Sequence, residues 1–133
     1  ESILEGVPKN LPGLLRSRRI QEKAASVGFD WKEAEPIISK VEEELAEVHD
    51  AINRRSKEEI TMEIGDLIFS IVNLARFYEI DPESALNKST NKFIHRFNQI
   101  EKHIINNGGS IEESDLETMD RLWNQIKKSE KNK

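Results

Sequence analysis

Two pairs of acids in this chain carry the spacing of a cation site. Glu44 and Glu47 stand three residues apart, and so do Glu63 and Asp66. On a helix, residues three apart share a face, one turn from each other. Fifteen residues, 48 to 62, separate the pairs. That is room for the end of one helix, a turn and the start of the next. The two helices are therefore expected to pack antiparallel as a hairpin, with the acid pairs at comparable height. Glu44 follows Val41 by three and precedes Val48 by four; Glu63 stands the same way between Ile60 and Leu67. Asp66 lies between Ile64 and the pair Leu67-Ile68. The acids thus border the apolar stripes. Carboxylates drawn together there repel one another unless a cation neutralises them.

Oxygen ligands without sulfur or imidazole suit Mg²⁺, with Mn²⁺ as a substitute. One E-x-x-E in a chain that is 34% charged is ordinarily a solvated face. Two such pairs on adjacent helices make the cation reading an even contest. Gly65 stands between two of the acids, at a cost of about 1 kcal/mol relative to alanine in a helix interior. Close approach by another backbone or by substrate, and tight helix packing, are equally good reasons for it.

The rest of the composition narrows the chemistry. There is no cysteine, which excludes thiol catalysis, disulfides and thiolate metal sites. The net charge of −5 argues against binding a nucleic-acid polymer or a membrane surface, which rests on basic patches. A phosphate-bearing substrate stays open, because a metal reverses the local sign of charge. No apolar run reaches the ~20 residues of a spanning helix, and no signal-peptide pattern opens the chain. A cytoplasmic location is expected. The chain starts at Glu1 rather than a methionine, as a piece of something longer would.

The elements that must position the acids read as helices. Residues 1–10, with Gly6 and Pro8, are an irregular lead-in or linker. A first helix is expected from about Leu11 to Val27, with Gly28 as its stop. Asp30-x-x-Glu33 has capping-box spacing ahead of a second helix, about Pro36 to Asn53. Its stripe is Ile37, Val41, Leu45, Val48 and Ile52. Ser56-x-x-Glu59 is a second capping box, starting a third helix near Lys57. The third helix has the broadest stripe, from Ile60 through Ile64, Leu67, Ile68, Ile71, Leu74 and Ala75 to Tyr78, and should be the most buried. Asp81-Pro82 opens a fourth helix carrying Leu86, Phe93, Phe97, Ile100 and Ile104, ending at Gly108-Gly109. Ser114-x-x-Glu117 caps a last helix with Leu116, Met119, Trp123 and Ile126 on one face. Residues 127–133 form a polar tail expected to fray. The fold class is all-α: a four- to five-helix bundle whose antiparallel hairpin carries the metal site. One domain, residues 11–126, holds the chemistry.

At these residues the sequence resembles the MazG family of all-α nucleoside triphosphate pyrophosphohydrolases. The family pattern is E-x-x-E, a spacer, then E-x-x-D, here Glu44-x-x-Glu47 and Glu63-x-x-Asp66. Further blocks extend the likeness over nearly the whole chain: Leu11-Pro12-Gly13-Leu14-Leu15, Val27-Gly28-Phe29-Asp30-Trp31, Lys40-Val41-x-Glu43-Glu44, Gly65-Asp66-Leu67-Ile68-Phe69, Val72-Asn73-Leu74-Ala75-Arg76 and Asn91-Lys92-Phe93-x-x-Arg96-Phe97. It is most similar to the second, catalytic half of tandem MazG proteins.

The resemblance implies hydrolysis of NTPs and dNTPs at the α–β anhydride to a monophosphate and pyrophosphate, as nucleotide-pool house-cleaning. It implies that Glu44, Glu47, Glu63 and Asp66 hold Mg²⁺. Glu43 or Glu47 is a candidate base; Glu43 paired with Lys40 or merely solvated is the alternative. Lys40, Lys92 and Arg96 match nucleotide-binding positions, with Lys88 extending that basic face. His95 stands where the family often has arginine, which makes phosphate contact there weaker or pH-dependent. Trp123 matches a tryptophan the family uses near the nucleotide, which implies stacking on the base, although periodicity alone makes it a core residue. Asn73 shares the face of Asp66, to bind sugar or phosphate or to satisfy buried backbone. Trp31 packs structurally or borders the pocket. A homodimer or higher oligomer is implied as well.

Rival classes fare worse. A di-iron bundle needs Glu-x-x-His pairs, and the residues three before His49, His95 and His103 are Ala46, Lys92 and Ile100. A helical interaction module predicts dispensable acids. A regulatory nucleotide-binding domain predicts binding without release of pyrophosphate.

Overall fold

The computed structural model describes residues 1–132, and among them there are five α-helices and no strand: α1 (Gly13–Ser26), α2 (Ala34–Arg54), α3 (Lys57–Phe77), α4 (Pro82–Asn106) and α5 (Leu116–Lys131), with a single 3₁₀ turn at Ile111–Glu113. The all-α expectation holds. Two compact units divide the chain, Glu1–Ala85 and Leu86 onward.

In the first unit α2 packs along α3, and α1 packs on α3. Only Arg55 and Ser56 separate α2 from α3, a connection so short that the helices must return antiparallel. The turn works because Arg55 takes a left-handed conformation, φ 58°. Ser56 then starts α3 by accepting a hydrogen bond from the Glu59 N–H at 3.3 Å. The Glu59 side chain pairs with Arg54, so only half of the expected capping box forms. The core of this unit is Ile37, Val48, Ala51 and Val72, with Val7 from the lead-in.

Two expectations for this unit fail. Asp30 does not cap α2; Glu33 stands at that cap without a side-chain hydrogen bond. The Asp30 carboxylate instead binds Arg76 of α3, a full charge that outweighs a neutral N–H. And α3 is not the most buried helix: Ile64, Ile68 and Ile71 remain 43%, 46% and 47% exposed. Its stripe is wider than the face this chain covers.

In the second unit Ile100, Ile104 and Leu122 form a buried cluster, with Ile111, Met119, Trp123 and Ile126 packed against it. Leu122, not Leu116, is the buried leucine of α5; Leu116 is 78% exposed. The cap of α5 is Asp115, which accepts from the Thr118 N–H at 2.8 Å, one residue later than Ser114. An ionised oxygen there also meets the positive end of the helix. Ser114 turns instead to the carbonyl of Ser110. The helix continues to Lys131, past the point where fraying was expected; Lys133 lies outside the described residues.

Candidate metal centre and adjoining pocket

The antiparallel hairpin sets α2 and α3 face to face where their acids stand. One carboxylate oxygen each from Glu44, Glu63 and Asp66 lies within 4.8 Å of the others. Glu44 is 9% exposed, Glu63 is half-buried and Asp66 open to solvent. Burial pushes the Glu63 carboxyl above its usual range, and the charges of Asp66, Glu47 and Glu44 push it further the same way. Glu47 therefore acts on the same spot by its charge, one turn along α2, without an oxygen in the three-acid cluster. The structure thus brings three of the four expected ligands together and sets the fourth beside them.

The donor set fits a hard divalent cation. Three oxygens converge from two rigid helices, one of them with its pKa raised by burial and by its neighbours' charges. A divalent ion relieves that repulsion, and its protein ligands are characteristically carboxylates.

Lys40 holds the buried acid. Its Nζ lies 3.1 Å from Glu44 and 3.5 Å from Glu43. The hydrogen bond to Glu44, then the charge of Glu43, raises the lysine above its ordinary value. Glu43 is thus the exposed member of a Lys40 pair and takes no part in the three-acid cluster.

Asn73 and Trp31 meet in a pocket of about 470 Å³ between α1, the loop after it and α3. Arg76 ties its rim together. Its guanidinium donates to Asp30 at 2.6 and 3.3 Å and to the Asn73 side-chain oxygen at 2.8 and 3.1 Å. The Arg76 hydrogen bond is the main cause holding Asp30 below its usual range, opposed by some burial. Trp31, half exposed, borders this pocket. Sequence reading missed Gln21, which is 7% exposed on the pocket wall. The signal was present: an uncharged polar residue on the stripe of α1, between Ile20 and Ala24.

Lys92, His95, Arg96 and Trp123 are carried by the second unit. The Arg96 guanidinium lies 5.1 Å from the centre of the Trp123 ring and donates to Glu130 at 2.7 Å. Phe93 packs on the same tryptophan, 5.4 Å between ring centres. Glu130 is held below its usual range first by Arg96, with His95 and Lys92 adding to the pull. Arg96, His95 and Lys92 thus act together on an acid from the segment expected to be a frayed tail. The His95 ring lies within hydrogen-bond distance of the Gln99 side chain, 2.7 Å. Trp123 is both core residue and platform for Arg96.

Comparison with known proteins gives this geometry a context. The profile of the MazG nucleotide pyrophosphohydrolase domain matches residues 32–100. The nucleoside triphosphate pyrophosphohydrolase/pyrophosphatase MazG of Thermotoga maritima is 50% identical over 117 residues, 88% of this chain and 45% of that protein. The nucleoside triphosphate pyrophosphohydrolase of Escherichia coli (strain K12) is 41% identical over 133 residues, 97% of this chain and 50% of that protein. In Bacillus subtilis the uncharacterized protein YabN is 42% identical over 131 residues, 98% of this chain and 27% of its own length. The chain spans about half the length, or less, of the curated relatives it matches.

Proposed function

Since this chain belongs to the MazG nucleotide pyrophosphohydrolase family, we propose that it hydrolyses nucleoside triphosphates, both NTPs and dNTPs, to a monophosphate and pyrophosphate. One water is added across the α–β anhydride, and pyrophosphate leaves. The observation that carries the proposal is the meeting of Glu44, Glu63 and Asp66 across the hairpin, at the positions of the family's acid pattern. These residues, with Glu47, would hold Mg²⁺, or Mn²⁺ in its place. The ion supplies neutralisation of the triphosphate charge and a more acidic water.

The chain's own side chains do the rest. Lys40, with its Nζ 3.1 Å from Glu44, stands where a substrate phosphate brought to that acid would meet a positive charge. Glu47, beside the cluster, is the better-placed candidate to orient or deprotonate the water; Glu43 is committed to Lys40. The family resemblance assigns Lys92, His95 and Arg96 to the phosphates. Trp123 serves that role by carrying Arg96 on its ring. Asn73, its oxygen taken by Arg76, offers its NH₂ to a sugar or phosphate oxygen.

A house-cleaning role in the nucleotide pool, a cytoplasmic setting and a homodimeric or higher assembly complete the proposal. Among the described residues no helix is long and apolar enough to cross a membrane.

Product analysis on a panel of NTPs and dNTPs with Mg²⁺ tests the reaction. Monophosphate and pyrophosphate are expected; diphosphate and phosphate would refute it. Glu44→Ala and Asp66→Ala should each lower turnover by at least about a hundredfold, a loss of about 3 kcal/mol of transition-state stabilisation, with the helical circular-dichroism spectrum kept. Retained turnover in either variant would overturn the site.

A further inference from the structure

The pocket beside the acids is not explained by metal binding. Its walls are flat and apolar: Ile20 and Ala24 of α1, Phe29 and Trp31 of the following loop, and Phe69 of α3. Aromatic walls of this kind suit a flat π-system, which stacks on them. Its polar groups are few and oriented, the usual make-up of a small-molecule site.

Gln21 is the most informative of them. Its Nε2 donates to the Phe69 carbonyl at 2.9 Å. A carbonyl only accepts, so this bond fixes which end of the amide is which. The other end, Oε1, is buried and has no donor. A buried acceptor without a donor forfeits its hydration and regains nothing. A ligand edge bearing an N–H group, seated on the aromatic walls, supplies the donor.

The pocket's place on α3 gives the ligand a direction. Asp66, Phe69 and Asn73 are spaced by three and four, so they run along one face of the helix. The pocket therefore begins about one turn, ~5 Å, beyond the acid cluster. A ligand with its flat end in the pocket extends its other end toward Glu63 and Asp66.

We propose that this pocket is the nucleobase subsite and that Gln21 is a specificity-determining residue. Its Oε1 accepts from the exocyclic amino group of a 6-aminopurine or 4-aminopyrimidine. A 6-oxo or 4-oxo group at the same point sets oxygen against oxygen. Arg76, bound to Asp30 and Asn73, braces the rim and takes up the Asn73 oxygen, so that Asn73 has its NH₂ to offer a ligand acceptor. This inference rests on the proposed reaction and names the part of the substrate that the reaction itself does not touch.

Matched pairs test it: ATP against ITP, and CTP against UTP, each with Mg²⁺ on the full chain. The amino member of each pair is expected to have the higher kcat/KM by about tenfold, the worth of one hydrogen bond to a buried group. In Gln21→Met, which keeps length and apolar packing, both ratios should fall toward one, chiefly through KM for the amino substrates. Thermal melts of the variant report whether the fold is kept. A second readout needs no turnover: adenosine and cytidine, added at millimolar concentration, should shift the Trp31 indole N–H signal more than inosine and uridine do.

Pyrophosphate release with equal amino and oxo rates, or ratios unchanged in Gln21→Met, overturns the pocket assignment and leaves the reaction standing. Selective Trp31 shifts without turnover of any nucleotide support the pocket and sink the reaction. A Trp31 signal unmoved by any of the four nucleosides overturns the subsite.

Discussion

At the scale of single residues, charge outcompetes local hydrogen bonding at Asp30. Asp30 has the spacing of a helix cap yet pairs with Arg76, 46 residues away in sequence. That pair predicts a pH dependence. The Arg76 hydrogen bond holds the folded Asp30 below the ordinary aspartate range, so the unfolded chain binds the proton more readily. Stability from the pair is then fully present above about pH 4, and it is lost as pH falls through the folded value. Between pH 6 and pH 3 the wild-type protein should lose about 1 kcal/mol more than Asp30→Asn, the upper end for a partly exposed ion pair. Urea titrations at the two pH values measure it; equal losses would show that the pair contributes nothing. The acids were legible because helical spacing fixes a face without any tertiary knowledge. Asp30–Arg76 and Arg96–Glu130 were not, since a long-range partner leaves no periodic trace and Glu130 sits in a run that reads as a solvated tail.

At the scale of elements, α1, α3 and α4 end the same way. The third residue past each helix donates its N–H back to the carbonyl five positions earlier: Phe29 to Ala24, Ile80 to Ala75, Gly109 to Ile104. Between them stands a left-handed residue, Gly28 at φ 93°, Glu79 at φ 56° and Gly108 at φ 79°. Glycine takes that conformation without a Cβ clash, so the ends of α1 and α4 could be read from sequence. The end of α3 could not, because a glutamate fills the glycine's place; Arg55 does the same after α2. The backbone cost borne there is about 1 kcal/mol per residue. Glu79→Gly should therefore stabilise the protein by about 0.5–1 kcal/mol, less the extra entropy glycine brings to the unfolded chain. Arg55→Gly should act likewise, in the turn that sets the acid pairs opposite each other. Denaturant midpoints that fall in both variants would mean the side chains repay their strain through contacts of their own.

At the scale of the whole molecule, one chain leaves much of its hairpin uncovered. Ile38, Leu45 and Ile52 on α2 and Met62, Ile64, Ile68 and Ile71 on α3 are all 38% or more exposed. Such apolar surface on one hairpin is the mark of an interface. Gly65 sharpens the point. A Cβ built there meets nothing within 4 Å, so packing inside this chain gives no reason for glycine. Within one chain, alanine would gain up to about 1 kcal/mol of helix propensity. A second copy, or the substrate, approaching the backbone next to Asp66 is what remains to make it necessary. The protein is therefore expected to run as a dimer or larger in light scattering coupled to size exclusion. Ile68→Glu should weaken that association at least tenfold, since burying a charge in place of an isoleucine forfeits about 1.5–3 kcal/mol of apolar transfer alone. Gly65→Ala separates the two remaining causes. If a partner backbone packs there, alanine loosens the assembly; if substrate does, the assembly holds and KM rises. A monomeric wild-type protein with an unchanged KM in Gly65→Ala would remove both, and the apolar face would need another occupant.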